Sequence, residues 1–276
     1  MISAYEAASG ARFVWRGVAN ADRPLHSSLV RLYKRRHGGQ MPREAQLRDF
    51  ERDVIAEARE WGLEWRSLGG HLNGLELLAT LQHYEIPTRL LDFTFNPLIA
   101  LWFAVEKHDQ MDGRVFAIDI SDRQISREAA SRPDPWWWDD FPPHTGTPWT
   151  TESWVWRPPP LEPRIVRQEG CFLVGGVPST ERARNVRIAH GWRLIHADEV
   201  RECMSVPFRL ISYDQAVAAF NGQALVGHAP RARAFTLRIQ NKPQLRTELD
   251  RAFSYSHSSL FPDFAGFKAY GRSVRA

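Results

Sequence analysis

The sequence predicts an α+β domain. Short β-prone runs such as Phe13-Val14-Trp15 are interleaved with segments of helical apolar spacing. Two helices open on asparagine caps, at Asn73 and Asn96, and the turn dipeptide Asp112-Gly113 leads into a further strand. Of 276 residues, 43% are hydrophobic and 25% charged, which excludes disorder as the main state and allows a substantial core. A single domain is expected over 1–276.

The first strand, Phe13-Val14-Trp15, is expected to end at Arg16-Gly17, which would put Arg16 at a strand end. From Pro42, read as a first-turn residue, Leu47, Phe50, Val54, Ile55, Ala58 and Trp61 follow helical spacing, an amphipathic scaffold helix. Asn73 with Glu76 has capping-box spacing, and Leu75, Leu77, Leu78 and Leu81 form the apolar face that leads into Gln82-His83-Tyr84. Pro87 restricts Ile86 to extended backbone, so Thr88 to Phe93 reads as a buried strand. Asn96 as N-cap and Pro97 at the first position then start an apolar helix through Ala104, expected to lie beneath the sheet. Later strands are expected at Arg114 to Ile120, Arg164 to Val174 (interrupted by Gly170), Ser205 to Ile211 and Ala234 to Ile239. Helices are expected near Asp214 to Phe220 and Pro243 to Phe253.

Tryptophan is over-represented, at 11. Six of these residues, Trp136, Trp137, Trp138, Trp149, Trp154 and Trp156, fall in a proline-rich insertion over about 133–163 that also carries Asp139 and Asp140. The rings could stack on a nucleobase, worth about 1–3 kcal/mol per base, close as a lid, or pack a long loop onto the domain.

The formal charge of +4 and pI near 9.3 permit contact with nucleic acid but are too mild for a dedicated DNA binder. The two cysteines, Cys171 and Cys203, read as buried small hydrophobes rather than a disulfide or metal pair. There is no apolar run near 18 residues and no signal-peptide layout, so a cytoplasmic protein without membrane contact is expected. Glycine-rich phosphate loops, nucleophile elbows and zinc signatures are also missing, which favours a mechanism without a metal or tightly held cofactor.

The segment from Gln82 to Pro97 concentrates the chemistry. Gln82, His83, Arg89, Asp92 and Thr94 interrupt apolar sequence, and burying an unpaired charge costs several kcal/mol. Arg89 and Asp92 flank Leu90-Leu91 and are expected to pair. Such a pair alone would tie a loop to the sheet; its polar neighbours point to a site.

These residues resemble the FRG domain family of bacteria and phages. Trp15-Arg16-Gly17 stands for its Phe-Arg-Gly. Gln82 to Thr94 follows its Gln-His-Tyr-Gly-x-Pro-Thr-Arg-Leu-Leu-Asp-x-Thr signature, with Glu85 where the family usually has glycine. Asn96-Pro97 and Ala100 to Ala104 also fit, as do Arg164-Ile165, Gln168, Gly170 and Phe172. So does the closing segment of Lys242, Leu249, Ser259 to Asp263 and Gly266. The family's motif order is similar to that of ADP-ribosyltransferases. That similarity implies a mixed or antiparallel split β-sheet with flanking helices and NAD as co-substrate. It also implies a toxin or antiphage effector that transfers ADP-ribose to a macromolecule. Nucleic acid is slightly favoured over protein as acceptor, and a cognate antitoxin is a further candidate partner. Arg16, Asp92, Gln168 and Glu169 are then the catalytic candidates. Arg16, Gly17, Gln82, His83, Tyr84, Arg89, Thr94 and Asn96 are the NAD-binding ones. Arg16 would hold the diphosphate or ribose. Thr94 and His83 would bond ribose or carboxamide, Tyr84 would stack on nicotinamide, and Gln168 or Glu169 would orient the ribose hydroxyl or take the acceptor's proton. A Gln-x-Glu pattern ends on Gly170 here, so the acid is Glu169 or Asp92. The alternative is a non-enzymatic nucleotide- or RNA-binding module that grips phosphate and base through Arg16, Arg89 and the Trp-rich segment. A hydrolase of a nucleotide signal is the third candidate.

Overall fold

The computed structural model describes residues 13–66, 69–120, 124–139, 153–178, 184–188, 191–195, 204–207, 209–210 and 233–271. In chain order the elements are β1 (Phe13–Val18), α1 (Ser28–Arg36), α2 (Glu44–Glu60), α3 (Gly74–His83), β2 (Leu91–Thr94), α4 (Pro97–Val105), β3 (Gly113–Asp119) and α5 (Arg127–Ala130). There follow β4 (Ser153–Trp156), α6 (Pro163–Arg167), β5 (Gly170–Gly175), β6 (Arg184–Ile188), β7 (Gly191–Ile195), β8 (Arg209–Leu210) and β9 (Arg233–Ile239). The chain closes with α7 (Lys242–Phe253), α8 (His257–Leu260) and α9 (Phe264–Tyr270).

The main sheet has the order β4-β5-β2-β1-β3-β9-β8. Its first six strands are antiparallel and β8 runs parallel to β9; β6 and β7 pair separately. This is an α+β architecture. Strand alternation sends Val14, Leu91, Phe93, Phe116, Ile118, Cys171 and Leu173 into one apolar cluster, and Phe13, Trp15, Val115, Ala117 and Phe235 into another that includes Ala100 and Ala104 of α4. Among the described residues no helix is long and apolar enough to cross a membrane.

Pairing is uneven along this sheet. β1 pairs with β3 from Phe13↔Asp119 to Val18↔Arg114, and β2 with β5 from Leu91↔Leu173 to Thr94↔Gly170. Between β1 and β2 the register holds only Trp15↔Thr94. Beyond that pair the two central strands part.

The cap signals are borne out. Asn73 Oδ1 accepts from Glu76 N at 3.0 Å while Glu76 Oε2 accepts from Asn73 N at 3.1 Å. Asn96 Oδ1 accepts from Leu98 N at 2.9 Å, with Pro97 at the first helical position. α4 lies directly on the sheet because glycine leaves room for it. A Cβ at Gly17 would fall 1.8 Å from the Ala100 carbonyl oxygen, and one at Gly113 2.2 Å from that of Ala104.

Several expectations are corrected. β1 continues through Val18 because β3 pairs with its whole length, so Arg16 lies mid-strand. Pro42 precedes the N-cap Arg43 instead of opening α2. β2 starts at Leu91, since Thr88 is engaged by the start of α1: Leu29 N donates to Thr88 O and Thr88 N to Ser28 Oγ. The expected strand from Arg164 is helix α6, begun by Pro163, then a left-handed residue at Glu169 (φ +45°) that turns the chain into β5. Of Ser205 to Ile211, strand β8 occupies Arg209–Leu210. Asp214 to Phe220, Asp140, Trp149 and Cys203 lie outside the described residues. The Trp-rich segment divides between a 3₁₀ turn at Trp136–Trp138 and edge strand β4, and Trp136, Trp137 and Trp156 are buried. These three rings pack the core instead of forming a stacking platform.

Glu85 explains its own departure from the family pattern. α3 ends with Glu85 N donating to Gln82 O and Ile86 N to Leu81 O, a Schellman arrangement with Glu85 at φ +62°. Glycine suits that position because it lacks the Cβ that strains left-handed backbone.

Two substitutions probe these backbone constraints. Gly17→Ala should destabilise by about 3 kcal/mol, since the facing atom is a helix carbonyl that cannot rotate away; urea unfolding followed by tryptophan fluorescence reads it. Glu85→Gly should stabilise by about 0.5 kcal/mol in the same assay, strain relief of about 1–2 kcal/mol exceeding the entropy glycine adds to the unfolded chain.

Candidate functional site

Where β1 and β2 part, a cleft of about 260 Å³ opens between the end of α3, α6 and the segment after α8. Strand alternation puts Leu91 and Phe93 into the core and turns Asp92 and Thr94 to the other face. Asp92 is well exposed, its side chain retaining 66% of its accessible surface. Its Oδ1 accepts from Gln82 Nε2 at 2.7 Å and its Oδ2 lies 3.6 Å from Arg16 Nη1. Arg16 Nη1 also donates to the Asp92 backbone oxygen, so the guanidinium bridges the parted strands. The acceptor-only Asp92 carboxylate turns the Gln82 amide nitrogen toward itself, which leaves Gln82 Oε1 to accept from Thr88 Oγ1. Thr94 is buried, and its Oγ1 accepts from Asn96 N at 3.0 Å.

The opposite wall comes from α6 and the C-terminal segment. Gln168 Nε2 donates to Leu260 O at 2.9 Å. Arg164 makes paired bonds to Asp263 at 2.8 and 2.9 Å, and its guanidinium sits 4.8 Å over the Phe261 ring. Burial alone would push the Asp263 carboxyl up, but bonds from Arg164 and the Gly266 N–H hold it below the usual range. His83 Nε2 lies 3.7 Å from Glu162. Trp15, Phe103, Phe172 and Phe261 supply the apolar lining. Cys171 also reaches the cleft, but burial pushes its thiol up, which removes it as a thiolate nucleophile.

Two donors on the β1 side are orphaned. The Trp15 Nε1–H and Arg16 Nε–H are buried and have no acceptor among the described residues. Such groups are uncommon and call for a missing acceptor, water or ligand.

Of the sequence candidates, Arg16, Gly17, Gln82, His83, Asp92, Thr94 and Gln168 line this one cleft. Four do not. Tyr84 caps α3 with its ring exposed, edge-on to His83. Arg89 is fully enclosed: its Nη1 donates to both Glu44 oxygens at 2.8 and 3.0 Å and its Nε to Glu51 at 3.3 Å. Its expected pairing with Asp92 is therefore replaced by partners on α2. Asn96 caps α4 and also donates through Nδ2 to Glu169 Oε1 at 2.8 Å and Tyr255 Oη at 3.1 Å. That bond holds the Glu169 carboxylate outside the cleft. Gly17 lines the cleft, yet its lack of a side chain serves the approach of α4.

Trp15, Arg164, Phe261 and Asp263 have no site role in the sequence reading. A signal existed in Arg164 and Gln168, four residues apart with Pro163 before them, which is the spacing of one helical face.

Residues 11–113 match the family model described as the FRG domain. Over that stretch the chain is similar to the FRG domain. The matched stretch holds Trp15-Arg16-Gly17, the Gln82 to Thr94 signature and α4; α6, β5 and the C-terminal wall lie beyond it. No curated protein and no solved structure matches the chain. The matched stretch thus contributes the Arg16–Asp92–Gln82 side of the cleft.

The Arg164–Asp263 pair that closes the cleft has a pH signature. A carboxyl lowered on folding stabilises above its unfolded value, near 3.9, and that contribution is lost as pH falls through the lower folded value. The stability difference between the wild type and Asp263→Asn should therefore be full at pH 5 and shrink below pH about 4, as read by urea midpoints across that range.

Proposed function

We propose that the protein is an NAD-dependent ADP-ribosyltransferase whose working carboxylate is Asp92. The observation that carries this is an accessible carboxylate fixed by Gln82 and Arg16 beside two orphaned N–H donors, all in one cleft. Glu169, the other candidate acid, is engaged by Asn96 away from that cleft.

A cleft of about 260 Å³ is just below the usual range for small-molecule pockets, roughly 300–1,000 Å³. It suits the nicotinamide-ribose end of NAD, with the remainder leaving past Arg16. The acceptor-rich diphosphate or carboxamide would satisfy the Arg16 and Trp15 donors. The bond between ribose C1′ and the nicotinamide nitrogen then breaks, its electron pair passing to nicotinamide, and positive charge develops on the ribose. Asp92 lies where a carboxylate can offset that charge, and the aromatic lining limits water. An acceptor nitrogen or oxygen forms the new bond to C1′ and its proton leaves to Asp92 or solvent. The effector role, as toxin or antiphage factor, would follow from modifying a macromolecule in this way.

The test is mass-resolved NAD consumption with and without total cellular RNA and protein. The wild type should release nicotinamide and add one ADP-ribose to an acceptor. Asp92→Asn should lower kcat by about 10²–10³-fold with KM for NAD little changed, the size expected for loss of one group that stabilises the transition state. Arg16→Ala should raise KM. Intact NAD with folded wild type, together with nucleotide binding that depends on Arg16, would replace the transferase by a binding module.

A further inference from the structure

α1 is a basic ridge rooted at the cleft. It carries Arg31, Lys34, Arg35 and Arg36 and no acidic residue, while Leu29, Val30 and Tyr33 bury its other face. Arg31, Arg35 and Arg36 are exposed. Its first turn is bonded to the signature segment: Ser28 Oγ donates to Thr88 O at 3.1 Å and accepts from Thr88 N at 2.9 Å, and Leu29 N donates to the same carbonyl. Thr88 Oγ1 in turn bonds Gln82, the residue that holds Asp92. One hydrogen-bonded path therefore runs from the ridge to the carboxylate.

Cations in a last turn are ordinary, because they complement the negative end of the helix dipole. That accounts for Lys34, Arg35 and Arg36 but not for Arg31, in the middle of α1. Its Nη1 donates to the His26 carbonyl oxygen. Partial desolvation of the guanidinium where it is held against the His26 carbonyl, on a residue otherwise exposed, and the nearby charges of Arg16, Arg35 and Arg23 push its pKa down, with Asp92 the attractive neighbour. Arg16, Arg23 and Arg35 thus repel Arg31, and Asp92 attracts it. Like charges held this way repel unless an anion offsets them, and a row of phosphates is the anion whose spacing extends along a helix.

We propose that α1 docks a nucleic-acid backbone and leads the strand to the cleft mouth, Arg31 and Arg35 contacting phosphates on the way. Given the transferase function proposed above, that strand is the acceptor of ADP-ribose. Docking itself needs no turnover.

The experiment is fluorescence polarisation without NAD, using a labelled 20-nucleotide single-stranded RNA of mixed sequence, its DNA counterpart and a polyglutamate peptide, from 50 to 200 mM salt. Each single-strand phosphate contact contributes about 0.7 to the log–log salt slope. Arg31→Gln/Arg35→Gln should reduce the slope by about 1.4 and weaken binding about tenfold. Arg251→Gln/Lys268→Gln, the same charge change on α7 and α9, should do neither. Equal loss in the two double variants, no nucleic-acid binding by the wild type at 50 mM salt, or tighter binding of polyglutamate would each overturn the proposal, the last in favour of an acidic protein partner. Parallel NAD assays separate the two ideas. Ridge-dependent binding with NAD intact sinks the transferase and keeps the docking surface; turnover with ridge-independent binding does the reverse.

Discussion

Arg89 is the joint on which the cleft side of the fold rests. It is enclosed, and its cost of desolvation is met by two carboxylates of α2, Glu44 and Glu51: burial alone would push its pKa down, but their charges and hydrogen bonds raise it on balance and keep it charged. Those carboxylates are shared. Glu51 Oε2 also accepts from the Trp137 and Trp138 indole N–H groups, and Glu44 Oε2 from Val177 N beyond β5. One guanidinium thereby ties together α2, the lead-in to β2, the Trp-rich segment and the chain after β5. Breaking such a buried pair costs about 3–5 kcal/mol, a large part of the 5–15 kcal/mol that keeps an ordinary domain folded.

That joint fixes where the next three residues go. With Arg89 anchored inward, Leu90 and Leu91 enter the core and Asp92 emerges exposed at the point where β1 and β2 separate. Thr88, just before, is held by α1 and in turn orients Gln82. The site is therefore assembled from two sides of one buried ion group: rigid packing behind it, an accessible carboxylate in front. A continuous strand ladder between β1 and β2 would have closed this gap; the bond from Arg16 to the Asp92 carbonyl takes its place and leaves the cleft open.

Local rules were legible because the groups they involve are near in sequence. Asn73 with Glu76 and Asn96 with Pro97 declare helix starts within four residues, and alternation along Gly113–Asp119 and Arg233–Ile239 declares strands. Convergence of Arg16, Gln82, His83, Asp92, Thr94 and Gln168 was legible through the family resemblance rather than through spacing. What failed depended on distance. Arg89 lies three residues from Asp92, yet its partners are 38 and 45 residues back, and nothing local ranks the three acids. The apolar run after Arg164 suited a strand by composition, and only Pro163 and the turn at Glu169 separate α6 from β5. The need for glycine at position 17 is set by a helix more than eighty residues on.

The left-handed residues at 85 and 169 bear on which acid the proposed transferase would use. Both follow helix C-termini and both are Glu, so their conformations are set by helix termination. At 169 the turn carries the side chain to Asn96, and the amide that receives it also serves the N-cap of α4. Freeing Glu169 for the cleft would cost Asn96 one of its bonds at the helix start. Asp92 needs no such rearrangement: its two polar partners, Gln82 and Arg16, orient the carboxylate while leaving most of its surface accessible. A group that must approach a transient positive charge works best when already positioned before substrate arrives, and for the proposed transferase that condition favours Asp92 over Glu169.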